Sequence, residues 1–205
     1  MAMSKRFKDR HDGGRLLAGL LADYADRKDV LVLAIPSGGV PVAAALAREL
    51  ACEMDMLMVR TLNAPIHDPW QLDVIMGAVA LGGVRVLDLE VLTSSKVHPQ
   101  DLERVTAFEQ RELDRLQRLY RSDRPFPDLR ERTVILTTDA IVIVSNMRAA
   151  IEAARVPWSI GRNGGCRIHY VIAGKDLGSS PERSSFRGSG DTLRFLQQLV
   201  WLWSD

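Results

Sequence analysis

Three short stretches of the chain combine residue types that can do chemistry. The first is Ile35-Pro-Ser-Gly-Gly-Val-Pro41, where an apolar run breaks at Ser37, Gly38 and Gly39 and an Ala-rich segment follows. Adjacent glycines let backbone N–H groups converge where side chains would forbid it, and a helix amino end adds partial positive charge. That combination cradles phosphate or pyrophosphate. A plain strand-to-helix turn uses glycine for steric reasons alone, and spacing does not separate the two. The second stretch begins at Arg60, past another apolar run, where a guanidinium either neutralises a phosphate or joins a surface ion pair. His67, Asp68 and Asp73 follow it. His67 beside Asp68 has the form of an acid–base pair, and equally that of a solvated loop histidine.

The third stretch, residues 133–147, reads TVILTTDAIVIVSNM. An Asp at a strand end, here Asp139, can accept hydrogen bonds from two sugar hydroxyls. Ser145 and Asn146 are good helix caps, and the N–H groups exposed at such a start favour an anion. The run Ile141-Val-Ile-Val144 pulls the other way, because β-branched residues resist the positive φ values of a tight anion loop. Either a helix starts at Ser145 or Asn146, or the strand continues through Val144 with Asp139 at its edge.

The elements that must position these residues follow from hydrophobic period. Residues 15–24 read as a helix with Leu16, Leu17, Leu20 and Leu21 on one face. Residues 30–35 are a continuous apolar run, the composition of a strand covered on both sides; residues 54–59 read as a second buried strand, and residues 133–136 start a third. Residues 40–50 form an Ala-rich helix with Pro41 in its first turn. Residues 60–71 read as a loop, and 74–79 with 84–87 flank Gly82-Gly83 as a hairpin. Residues 100–121 form a long helix with Leu102, Val105, Leu113, Leu116 and Tyr120 as its stripe and a solvated charged face. Residues 147–155 give a short helix and 168–173 one more strand. Strands alternating with helices predict an α/β fold with a mostly parallel twisted sheet, whose ligands sit beyond the carboxyl ends of the strands. Residues 178–190, rich in Ser, Gly and Arg, read as a flexible loop. Residues 193–203 read as an apolar helix, which needs a covering surface from this domain or from a second copy in a homodimer.

Composition narrows the class. The 27 basic and 26 acidic residues leave a net charge of +1, too balanced for a field that gathers nucleic acid or an anionic membrane. Cys52 and Cys166 form no metal or redox motif and read as buried thiols in a reducing cytoplasm. No apolar run approaches the ~20 residues of a membrane helix. Ser37, Asp139 and His169 fall in the chain order of α/β-hydrolases, but Ile35 stands where that elbow needs its first glycine.

Taken together, the pieces resemble the small predicted bacterial phosphoribosyltransferases of the type I fold. The resemblance covers about residues 7–173. It is carried by Phe7-Lys-Asp-Arg10 with Asp12-Gly-Gly-Arg15, by residues 35–43, by Val59-Arg-Thr-Leu62 with Ala64-Pro65, by Gly77-Ala-Val-Ala80, by residues 82–87, by Leu119-Tyr-Arg121 with Asp123-Arg-Pro125, and by residues 128–154. It implies one domain over 1–174 with a small cap or hood, and a divergent tail over 175–205. It implies transfer of a 5-phosphoribosyl group from phosphoribosyl pyrophosphate to a nitrogen base, with Mg²⁺ carried by the pyrophosphate and no metal site on the protein itself.

On that resemblance Asp139 is the catalytic candidate. Ser37, Gly38, Gly39, Arg60, Thr138, Ala140, Ser145, Asn146 and Met147 line the pyrophosphate, ribose and 5-phosphate. The chain departs from the family's pattern at several of these positions. Ser37 replaces an Arg, Thr61 a basic residue, Thr138 an acidic one, Ala140 a Gly, and Ile143-Val144 a Thr-Gly step. Each change removes charge or backbone freedom. A lost charge-assisted contact is worth roughly 1.5–3 kcal/mol. The expectation is therefore a phosphoribosyltransferase of reduced activity, or an inactive homologue that keeps the fold for ligand binding or assembly.

Overall fold

The computed structural model describes residues 8–65, 74–122, 124–139, 144–155, 167–172 and 184–186. They divide into two units. The first takes its residues from Met1–Met56, Leu129–Val144 and Ser159–Asp205, the second from Leu57–Asp128 and Ser145–Trp158.

The first unit is built on strand β1 (Val30–Ala34), which is buried along its whole length. Its residues alternate between the two sheet faces: Val30, Val32 and Ala34 join one apolar cluster with Leu17 and Leu21 of helix α1 (Arg10–Leu20 and the residue after it) and Val42, Leu46 and Leu50 of helix α2 (Gly39–Leu50). β2 (Glu53–Met56) lies parallel to β1 on one side. β6 (Thr133–Thr138) lies parallel on the other, with Val30 opposite Thr133 and Ala34 opposite Thr137. β7 (Arg167–Ile172) continues the parallel sheet from β6, and β8 (Ser184–Phe186) closes it antiparallel. The expected parallel α/β architecture is present. A strand at Ser184–Phe186 interrupts the stretch read as a flexible loop. The apolar segment 193–203 lies outside the described residues, as do His67, Asp68, Asp73, Ala140 and Cys166.

Helix α1 begins five residues before the expected Arg15. Asp9 caps it by accepting the Asp12 N–H, and it ends at Leu20, short of the expected Tyr24, with a single 3₁₀ turn (Ala22–Tyr24) beyond. A Cβ on Gly14 would stand 2.4 Å from the Val42 carbonyl oxygen and 2.7 Å from the Ala45 Cβ. The missing side chain is what allows α1 onto α2. Cys52, expected to be buried, is half-buried, and that burial raises its thiol pKa.

At the amino ends of β1 and β6, Asp29 holds the two strands together. Its carbonyl accepts the Thr133 N–H at 2.8 Å and its carboxylate accepts the Thr133 hydroxyl at 3.3 Å. The Arg27 guanidinium, hydrogen-bonded to Asp29, keeps that carboxyl below the usual carboxylate range.

The second unit holds an antiparallel sheet of β3 (Val59–Asn63), β4 (Ile75–Ala80) and β5 (Val84–Leu87), with helices α3 (Leu89–Ser94), α4 (Pro99–Arg121) and the body of α5 (Val144–Arg155). The hairpin at Gly82-Gly83 forms as expected, with φ values of 81° and 73° that glycine adopts without strain. The run expected as one strand over 54–59 is divided: β2 ends at Met56 in the first unit's sheet, and β3 starts at Val59 in the second. Arg60 accordingly sits inside β3 rather than in a turn. On α4, Leu113 is fully buried, whereas Tyr120, assigned to the apolar stripe, is 53% exposed. The outward face carries ion pairs such as Arg104–Asp101 and Arg85–Glu103. Among the described residues, no helix is long and apolar enough to cross a membrane.

Two glycines of α1 should respond to alanine with opposite signs. Gly14→Ala should lose about 1–3 kcal/mol of stability through overpacking against backbone. Gly19→Ala, in the same helix with nothing within 4 Å of its added methyl, should gain about 0.5–1 kcal/mol. Urea unfolding of both variants checks the signs. Because the folded pKa of Asp29 is depressed, its stabilisation is present above about pH 4, the unfolded carboxyl range, and is lost as pH falls through the lower folded value. Melts of Asp29→Asn and the native chain at neutral and acid pH should therefore differ at neutral pH and converge in acid.

Candidate functional site

β1 and β6 run parallel, so their carboxyl ends open side by side, and the Ile35 N–H continues the ladder by donating to the Thr137 carbonyl at 2.9 Å. Pro36 stops β1. Its peptide bond to Ser37 is cis. Gly38 is the cap of α2 and Gly39 its first residue, with the Gly39 N–H donating to the Ile35 carbonyl at 3.2 Å. Among the described residues, no backbone carbonyl accepts from the amides of Ser37 or Gly38. Two donors at the start of a twelve-residue helix thus remain for an anion.

Asp139 follows β6 directly, and its carboxylate lies against this bend. A Cβ placed on Gly38 would fall 2.0 Å from Asp139 Oδ2 and 2.2 Å from Oδ1. A Cβ on Gly39 would fall 2.6 Å from the Thr137 carbonyl oxygen and 3.1 Å from the Thr138 Cα. The diglycine is therefore a packing requirement of the strand tips: the acid and the backbone of β6 occupy the space that side chains would need.

The carboxylate is held from a third element. Arg10, the first residue of α1, donates from Nε to Asp139 Oδ2 at 2.9 Å, and its Nη2 lies 2.8 Å from the same oxygen as an ion pair. Sequence reading placed Arg10 only among the motifs of a resemblance. The helix was expected only from Arg15, so the position of Arg10 against the positive end of the helix dipole emerges from the structure.

The remaining described site residues lie in the second unit, apart from Thr138, the buried last residue of β6. Ser145, Asn146 and Met147 fall in the first turn of α5, which starts at Val144. The strand therefore does not run on through that position. The Asn146 amide donates from Nδ2 to the Thr61 hydroxyl at 3.0 Å, and that hydroxyl lies 3.1 Å from Asn146 Oδ1. Met147 is buried. Arg60 donates from Nε to Glu109 Oε2 at 2.7 Å, the ion-pair alternative of its two readings. Among the described residues, no cluster of three His, Cys, Asp or Glu side chains could hold a metal ion.

A hydrolase triad does not assemble. His169 pairs with Ile135 in the sheet. At about 3.3 Å per residue its backbone sits roughly 10 Å back from the tip at Thr138.

The family model for the phosphoribosyl transferase domain matches residues 5–65, a span that contains Arg10, the diglycine bend and Arg60. A crystal structure of TT1426 from Thermus thermophilus is 32% identical, covers 82% of this chain and 74% of its own, and superposes with a TM-score of 0.57. The chain belongs to the phosphoribosyl transferase family. A protein of Mycobacterium tuberculosis bearing the name "Putative phosphoribosyl transferase", found in two strains, is 35% identical over 151 residues. The chain aligns there over 74% of its own length and spans about a third (33%) of those curated relatives.

The packing separates two glycine substitutions. Gly39→Ala collides with β6 backbone and should cost about 1–3 kcal/mol. Gly38→Ala meets only a side chain, so it should melt closer to the native chain while displacing Asp139. Thermal melts of the two variants check the order.

Proposed function

We propose that the bend at Ser37–Gly39 binds the pyrophosphate of phosphoribosyl pyrophosphate and that Asp139 receives the ribose hydroxyls. The observation that carries this reading is the Asp139 carboxylate seated on Gly38: a sugar acceptor and an anion-binding bend adjoin at the tips of two neighbouring strands. Oδ1 of Asp139 is left over after Arg10 takes Oδ2, and a carboxylate oxygen of this kind is a good acceptor for a hydroxyl.

In the reaction the C1–oxygen bond to pyrophosphate breaks and the leaving group keeps the bonding pair. A nitrogen of the acceptor base bonds to C1 and gives up its proton to the departing pyrophosphate or to water. The chain's part is to hold the charge that develops on the leaving pyrophosphate and to fix the ribose for attack. The residues at the bend fit magnesium only as a companion of the substrate. Asp139 brings a carboxylate to the tips of β1 and β6, no cluster of three metal-ligating side chains occurs among the described residues, and Mg²⁺ is commonly held by one or two carboxylates together with substrate phosphates. Magnesium, when bound, would neutralise part of the pyrophosphate charge.

The substitutions in the third stretch favour slow transfer, and they support the alternative of a homologue that binds without turnover. Thr138 brings no charge beside Asp139, and Asn146 already shares its side-chain amide with Thr61. Heat denaturation with phosphoribosyl pyrophosphate and Mg²⁺ tests both. Ligand at about a hundred times its Kd stabilises by about 2.7 kcal/mol, or roughly 5–10 °C for a chain of this size. Stabilisation with pyrophosphate release from a panel of bases identifies a transferase, and stabilisation without release identifies the binding-only homologue. Neither response would overturn the reading.

A further inference from the structure

We infer that Arg10 is the cation of the pyrophosphate site: it bridges Asp139 and the bound anion and supplies the positive charge that the bend itself lacks. The inference rests on the reading of the bend as a pyrophosphate site and adds a binding residue to it. Ser37, Gly38 and Gly39 bring only neutral donors. The nearest side chain to Gly38 is an acid, Asp139, so an anion docking on the bend meets a like charge at once. Arg10 corrects this imbalance from a different element, α1, and from 129 residues away in sequence.

The geometry leaves room for the second contact. The Nε–H donates to Asp139 Oδ2 and Nη2 stands 2.8 Å from the same oxygen. Among the described residues Asp139 is the one partner of this guanidinium, and the side chain is 58% exposed. A planar guanidinium suits the geometry of carboxylate and phosphate oxygens alike, so it can hold both without leaving either. The position also has a cost that packing alone does not explain, since a cation at the first position of α1 faces the positive end of the helix dipole. Asp9 and Asp12 on the same turn are engaged elsewhere: Asp9 accepts the Asp12 N–H, and Asp12 accepts the Lys8 N–H at 3.1 Å and pairs with Arg15.

Titration calorimetry with inorganic pyrophosphate and, separately, ribose 5-phosphate tests the assignment on the native chain, Arg10→Gln, Arg10→Lys and Arg10→Gln/Asp139→Asn. Arg10→Gln should weaken pyrophosphate at least tenfold, the loss of one charge-assisted contact, with ribose 5-phosphate held within about twofold. Arg10→Lys should recover part of the loss. The double variant should recover only the part of the loss that comes from Asp139's repulsion and stay weaker than the native chain, because neutralising Asp139 does not restore a direct contact. Each variant's thermal melt confirms that it is folded. Unchanged pyrophosphate affinity in Arg10→Gln overturns the assignment, as does equal loss for ribose 5-phosphate or full recovery in the double variant. A native chain that is stabilised by phosphoribosyl pyrophosphate while Arg10→Gln binds normally removes Arg10 alone. A native chain that binds neither phosphoribosyl pyrophosphate nor pyrophosphate removes the site itself, and this inference with it.

Discussion

The parallel pairing of β1 with β6 is the constraint from which the site follows. Five consecutive pairs, Val30 with Thr133 through Ala34 with Thr137, fix the register, and the Ile35 N–H extends it by one further bond. Both strands are buried along their length, so a slip of one residue would turn every inward apolar side chain to the wrong face. With the register fixed, the first residues past each strand have no freedom to separate. Pro36 ends one strand and Asp139 leaves the other at the same level. The diglycine is then required because the Thr137 carbonyl and the Asp139 carboxylate stand where two Cβ atoms would go.

That closeness sets an electrostatic problem. A carboxylate against a bend suited to anions repels the ligand the bend would accept. Two like charges about 4 Å apart repel by roughly 4 kcal/mol at an effective dielectric near 20, which exceeds what one neutral amide donor returns. Helix α1 resolves it by bringing Arg10 to Asp139. The pair is partly exposed, 58% and 26%, and pairs of that kind add at most about 1 kcal/mol to folding. Its contribution to holding the unit together is small beside the apolar cluster of α1, α2 and β1. Its effect on local charge is large, because it turns a single negative group into a neutral pair with donors to spare.

The parts of the fold that burial decides were readable from the sequence. Residues 30–35 and 133–136 are apolar throughout or nearly so, and a strand covered on both faces uses such a run at that length. The hairpin at Gly82-Gly83 was equally plain. The division of residues 54–59 between two sheets was not, because Leu57 and Met58 are apolar like Met56 and Val59 on either side, and no glycine or proline marks the break. The start of α1 was obscured by Gly13 and Gly14, which lower helix propensity; at Gly14 the missing side chain admits α2. The individual residues of the bend and Asp139 were legible as types. Their contact was not, since Gly38 and Asp139 are far apart in sequence and only the strand register brings them together. Arg10 was legible as a family motif only, with nothing in the sequence to put it at a helix start or to name its partner.

The two sides of the proposed ligand are served unequally. On the pyrophosphate side the chain offers a helix start, amides without a backbone carbonyl partner among the described residues, and a guanidinium with donors unspent. In the second unit, the polar groups expected for the ribose phosphate already have partners: Asn146 with Thr61, and Arg60 with Glu109. A contact already made must be broken before it can serve a substrate, and a buried or half-buried partner left behind costs about 1–3 kcal/mol. On the proposed reading, pyrophosphate binding is the half that these contacts leave intact. Positioning of the sugar is then the half that they oppose, because positioning demands that every contact be made at once.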